Sequence, residues 1–316
     1  SLTRNASLIH LFTNAAGHFF EGYFSVPAIQ SAQWIINHLE TDDGAFFSSM
    51  AAENSLNNYY CFQQHTLNHC LDKDSFIAFQ AAFGIQTNST VATQSLKRIR
   101  SNQQIADHAL MHIKQVPLAL ENAKQLLALE RKNHSLPNIN KAINCKDNAK
   151  IISVLFNAAR QFNSDDFASS AFSALQYIQQ KLHLADTSTH LLMVHTLLKR
   201  LQYQWSDLDY QWLLQIADYF SENSSNIAQV MIDDSIDSTV DDFYNLFLLT
   251  SDAQFLNIAE STINELMIIF EDNPDNYPQL LIPLIKFQVT QKFIIIRGSN
   301  YQSSYWLNQL ATGFKP

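Results

Sequence analysis

The sequence predicts an all-α protein in which about a dozen helices, in successive antiparallel pairs, close into a double ring. Three observations predict it. Six Gly and seven Pro in 316 residues leave long stretches without punctuation, which disfavours a many-turned β protein. Apolar residues recur at i, i+3, i+4 and i+7 through most of the chain, and the turns between such segments are short. The hydrophobic pattern recurs, yet no motif repeats at a fixed period, which favours a closed ring over an open superhelical solenoid.

Each element has its own local reason. Leu8, Leu11, Phe12, Ala15 and Phe19 stripe one side of a first helix. A second starts near Ser25, with Pro27 in the first turn where its missing N–H costs nothing, and carries Ile29, Ala32, Ile36 and Leu39. Phe46–Phe47 and Tyr59–Phe62 read as the strands of a small β-hairpin insertion. Short helices are expected over 66–72 and 74–83, and loops over 85–116. Leu118–Lys132 is rich in strong helix formers. Beyond "NHSLPNINKAINC", helices are expected at 146–162, 165–182, 185–202, 206–221, 239–250, 252–270 and 277–290. The unbroken apolar run Phe293–Ile296, then "YQSSYWLNQLATGF", reads as a C-terminal βα appendage. The organisation is therefore a ring over 1–290 with residues 291–316 packed on it.

Composition excludes some classes of partner. Twenty Lys and Arg against 29 Asp and Glu leave a net charge of -9, which disfavours nucleic acid and anionic membrane surfaces. No apolar run of about 18 residues predicts a membrane span. The first twenty residues show helical spacing, not the basic start and compact apolar run of a signal peptide. Cys61, Cys70 and Cys145 are odd in number and lack C-x-x-C spacing, so free thiols in a reducing, cytoplasmic setting are the default. No P-loop, dinucleotide fingerprint or serine-nucleophile motif occurs, and no cofactor is expected.

Four stretches carry a family likeness. "DDGAFFSSMAAENSLNNYYCFQQHTLNHCLDKDSFIAFQAAFGI", "LPNINKAINCKDNAKIISVLFNAAR", "IDSTVDDFYNLFLLTSDAQFLNIAE" and "YPQLLIPLIKF" with the closing "KFIIIRG" fall in order along nearly the whole chain. Together they resemble the thioredoxin-domain family that includes the spermatogenesis-associated thioredoxin-like proteins. The resemblance is to that family's second part, an (α/α)6 toroid of the N-acylglucosamine-epimerase and six-hairpin-glycosidase type. It implies a central cavity suited to a sugar or glycan, and a thioredoxin-like domain as a partner. The chain departs from the family at three polar landmarks. The acidic D-A-D-S motif falls on Ala51-Ala52-Glu53-Asn54, a Trp-Asn pair on Lys146-Asp147, and P-S-G-N-S on Ile236–Val240. Lys141 is the charged family position that is kept.

Acid–base work on a sugar needs two titratable groups flanking the reacting centre, carboxylates about 5–10 Å apart in glycosidases. Asp42, Asp43 and Glu53 lie in one inter-helix stretch, and Asp233, Asp234 and Asp237 in another. A ring bringing both stretches to one rim makes Glu53, Asp42 and Asp234 the catalytic candidates. Asp43, Lys141, Asp147, Tyr277 and Gln279 are then the substrate-binding candidates. The competing reading is structural: Asp42-Asp43-Gly44 as a turn and Asp233-Asp234 as a helix flank. His65 and His69, like His108 and His112, stand four apart, but no H-E-x-x-H glutamate or third ligand accompanies them, so no metal is expected. Tyr23, Trp34, Tyr59, Tyr60, Trp205, Tyr210, Trp212 and Tyr277 offer faces for sugar rings, but helical spacing favours core packing for most of them, Tyr277 being the best exception. The expected function is a carbohydrate-binding or carbohydrate-processing toroid, of sugar epimerase or glycoside hydrolase type if catalytic. The alternative is a catalytically silent binding or scaffold module partnering a thioredoxin-like domain.

Overall fold

The computed structural model describes residues 1–19, 22–51, 59, 62, 64–85, 98–182, 186–222, 226–234, 236, 238–272, 275, 281, 285, 294, 296, 303 and 305–306. Helix dominates them. In chain order the elements are α1 (Leu2–His18), α2 (Ser25–Leu39), β1 (Ser49–Met50), α3 (Gln64–Cys70), α4 (Lys73–Phe83), α5 (Asn102–Ala109), α6 (Gln115–Arg131) and β2 (Ile139–Asn140). They continue with α7 (Cys145–Phe162), α8 (Asp165–Lys181), α9 (Thr187–Tyr203), α10 (Asp207–Glu222), α11 (Ile227–Asp233), α12 (Thr239–Thr250) and α13 (Ala253–Asp272). Polar side chains set many of the starts. Ser1, Asp72, Ser101, Asn144, Ser164 and Asp186 each accept a first-turn N–H that has no partner within its helix.

The chain divides into two compact units, Ser1–Ser49 with Lys141–Pro316, and Met50–Asn140. In the first unit helices pair as α1/α2, α7/α8, α9/α10 and α12/α13. The leading helices form one layer, α1 against α7, α7 against α9 and α9 against α12. Among the returning helices, α2 meets α8 and α10 meets α13. Helices α1 and α7 run parallel, because Thr3 bonds Asp147 and Asn14 bonds Asn157 at sequence offsets of 144 and 143. Part of the core is aromatic: the buried Phe220, Phe243 and Phe255 rings follow one another at 5.7 and 6.3 Å. Arg200 is buried with its guanidinium 4.4 Å from the Phe172 ring and its Nε 3.1 Å from Asp209. Cation–π contact and ion pair together offset the cost of burying that charge.

In the second unit, α6 gathers α3, α4 and α5. Leu67, Leu71, Phe79 and Leu127 form one apolar cluster, and Ala78, Ala82, Ile105 and Val116 another. The Arg131 guanidinium lies 5.5 and 5.4 Å from the Tyr59 and Phe62 rings.

Several expectations need correction. The first helix buries Leu2, Ala6, Ile9 and Thr13, while Leu8, Leu11 and Phe19 are 46–59% exposed. A helix apolar on two sides does not declare which side its neighbours cover. Among the described residues, Phe46 bridges Glu40 and β1 pairs with β2, while Tyr60 and Cys61 of the expected second strand lie outside the described residues. Strand pairing here follows contacts between residues far apart in sequence, which local alternation does not encode. Residues 85–116 are not all loop, since α5 begins at a capping box of Ser101 and Gln104. Helix α11 is also additional. Most of 277–290 and of the 291–316 appendage lies outside the described residues; Ile294, one of the few described, is 53% exposed.

Candidate functional site

Residues 40–46 form a tight loop after α2, fixed by its own hydrogen bonds and by side chains of α7 and α8. Glu40 bridges Phe46, the Thr41 N–H donates to the Ala45 carbonyl at 2.7 Å, and the Gly44 N–H donates to the Thr41 carbonyl at 2.9 Å. From α7, the fully buried Asn148 accepts the Phe46 N–H at 2.7 Å and donates to the Phe46 carbonyl at 3.0 Å. A side-chain amide thus replaces a missing strand neighbour. From α8, Ser170 donates to Glu40 Oε2 at 2.9 Å. Gly44 has φ +87°, and a Cβ there would meet Ser173 Cβ at 2.5 Å, so only glycine permits this approach.

The loop is one wall of a cleft of 570 Å³, within the range of small-molecule sites. The other wall is Ser173, Gln176, Tyr177, Gln180 and Lys181, the i, i+3, i+4, i+7, i+8 face of α8. This polar stripe lies beside the one that α8 buries, Phe167, Ala171, Ala174 and Ile178. Asp42 and Asp43 are exposed, while burial lifts the Glu40 carboxyl above the usual glutamate range against the opposing pull of Ser170.

A second polar group gathers at the first turns of α7 and α9. Lys146 pairs with Asp234, the residue capping the end of α11, and the Lys150 ammonium donates to the Asp234 carbonyl at 3.5 Å. The Lys146 hydrogen bond holds the Asp234 carboxyl below the ordinary aspartate range. Burial pushes Asp186 upward, but hydrogen bonds from Thr189 and Ser188 outweigh it and leave that carboxyl low as well. Burial and the nearby Asp186 charge raise the Cys145 thiol, so it stays protonated and weakly nucleophilic. Deeper between α9 and α12, His195 Nδ1 lies 2.9 and 3.1 Å from the two oxygens of the buried Asp242 carboxylate.

The residues expected from sequence therefore separate. Asp42 and Asp43 share the cleft. Asp234 belongs to the Lys146 pair, and Asp147 accepts from Thr3 at 3.0 Å. Lys141 is exposed just past β2. Glu53, Tyr277, Gln279 and Asp237 lie outside the described residues. His65, His69, His108 and His112 are all exposed on unit Met50–Asn140. Sequence reading missed Glu40, Lys146, Asp186 and the α8 wall. The α8 stripe had a signal, a second helical periodicity written in Ser, Gln, Tyr and Lys; Glu40 had none beyond its place before a turn. No protein-family model matches the chain, and no curated protein matches it either.

Proposed function

We propose that the chain is a divergent (α/α) toroid of the epimerase and glycosidase type that binds a sugar or glycan, and that it belongs with the thioredoxin-domain family it resembles. The observation that carries the binding reading is the cleft between the locked 40–46 loop and the polar face of α8. Carboxylates and glutamine amides held on fixed backbone match the hydroxyls of a sugar, and Tyr177 offers a ring face for its apolar side. The successive contacts of α1, α7, α9 and α12, each paired with a following helix, support a toroid, as does the parallel run of α1 and α7.

Binding without turnover is the favoured form of this reading. Asp234 is already neutralised by Lys146, and the family's polar landmarks at Lys146-Asp147 and Ile236–Val240 are replaced. A silent binding module beside a thioredoxin-like domain is thus the reading we favour over an epimerase or hydrolase. Thermal melts with mono- and oligosaccharides test it, since a ligand at about ten times its Kd stabilises the folded state by about 1.4 kcal/mol. The expected result is a rise in Tm with some sugar that Gln176→Ala with Tyr177→Ala abolishes. No rise with any sugar at millimolar concentration, or a rise that survives the double variant, would overturn it.

A further inference from the structure

We propose that a shallow pocket between α1 and α2 is a second sugar site, a platform on which one neutral pyranose ring stacks against Trp34; this rests on the carbohydrate reading above, though not on the cleft. The pocket has a volume of 240 Å³ and is lined by Asn5 of α1 and by Pro27, Gln30, Ser31 and Trp34 of α2. That space suits a single ring and falls below the ~300–1,000 Å³ of sites for larger ligands. The four α2 residues stand at i, i+3, i+4 and i+7, so they share one face of the helix.

Trp34 presents one face of its indole there. The His38 ring, one turn further along, stacks on the other face with centroids 5.0 Å apart and planes 15° from parallel. His38 is itself fixed, its Nδ1–H donating to the Trp34 carbonyl at 2.9 Å. Pro27, Gln30 and Ser31 lie one and two turns earlier, so the pocket opens on the side that the imidazole leaves bare. An aromatic face with polar groups beside it suits the apolar side of a sugar ring.

The polar groups at its rim are unengaged. Asn5 donates its Nδ2–H to the Ser1 carbonyl at 2.9 Å, which leaves Oδ1 to accept. The side chains of Gln30 and Ser31 form no hydrogen bond with the described residues. Donors and acceptors thus converge on the open indole face, as ring hydroxyls require. Nothing charged lines the pocket, which sets it apart from the acidic cleft and disfavours metal ions and phosphates. A proline-rich peptide also stacks on tryptophan, but its proline nitrogens have no N–H to donate to Asn5 Oδ1 or to the Ser31 hydroxyl. With no titratable group in its lining, the pocket binds without acid–base chemistry.

The indole N–H signals of the four tryptophans, followed by NMR during titration with glucose, N-acetylglucosamine and a proline-rich peptide, test this. The Trp34 signal, assigned through Trp34→Phe, is expected to move with at least one of the sugars, half-saturating on the order of 10 mM. Gln30→Ala, at an exposed position, should raise that midpoint about fivefold, the loss of one neutral hydrogen bond. Gln176→Ala with Tyr177→Ala should leave it unchanged. At the millimolar sugar of the melts so weak a site is mostly empty and moves Tm little, so the two sites are read separately. Movement that Gln30→Ala leaves untouched, or that the cleft double variant abolishes, overturns the platform. Movement with the peptide and with no sugar overturns the sugar assignment of this pocket. A still Trp34 signal beside a cleft-dependent rise in Tm overturns the platform alone, and silence in both overturns the carbohydrate reading with it.

Discussion

Two acidic regions of the same unit make an instructive pair. At the first turns of α7 and α9, Asp234 and Asp186 are held by lysine, threonine and serine donors that the chain supplies. In the cleft, Asp42 and Asp43 are held in place by backbone and packing, while their carboxylates face solvent. The first region has used its polarity to fix three helix termini together; the second has fixed its backbone and kept its polarity available. Ligand-sized space accompanies the second region.

The largest way to break the contrast is to unlock the loop. Asn148→Ala leaves the Phe46 N–H and carbonyl without their partner in a buried setting, and is expected to cost roughly 2–4 kcal/mol in chemical denaturation. A cost near zero would mean that the clamp is not what holds residues 40–46. Gly44→Ala comes next, at about 1–3 kcal/mol, because it combines φ +87° with a 2.5 Å approach to Ser173. Its ligand affinity should fall further than its stability, which separates a displaced loop from a merely weakened fold.

The charged region gives a smaller effect. Asp234→Asn is expected to cost about 1–2 kcal/mol, moderated by partial solvent exposure of the pair. Lys146→Met combined with Asp234→Leu should recover much of it, since the uncompensated partner is what destabilises. Sugar affinity should change in neither variant; a change would tie the two regions together. The pH dependence is the finest test, and its signs are opposite. Asp234 and Asp186 have folded-state values below the unfolded ones, so their stabilisation is present above the ordinary aspartate range and lost as pH falls through the folded values. Glu40 is raised, so its contribution is present below the ordinary glutamate range and lost as pH rises through its folded value. Denaturation midpoints across mildly acidic pH should show Asp234→Asn flattening the acid limb. Glu40→Gln should remove the loss on the rising side.

Helix existence was readable because periodicity and capping are local: Asn144, Ser164 and Asp186 announce α7, α8 and α9 within a residue or two. Which face is buried was not readable for α1, because its neighbours α2 and α7 decide it, and α7 lies more than a hundred residues away. The partner of Ser49–Met50 was not readable for the same reason, since it lies at Ile139–Asn140. Of the site, Asp42 and Asp43 were found as turn residues with an uncertain second role. Glu40 was missed because its environment comes from Ser170, on a helix that sequence distance hides.

The register of α1 on α7 also has a consequence in time. Asn14 meets Asn157 across 143 residues, so α1 and α2 leave the ribosome long before their partner helix exists. At ~5–20 residues per second that wait is roughly 7–30 s, during which the side of α1 that meets α7 has no partner helix. The segment Met50–Asn140, with its own apolar clusters, is complete within that interval. Order of synthesis thus makes the first hairpin the part of this molecule that most needs shielding while the chain is still growing.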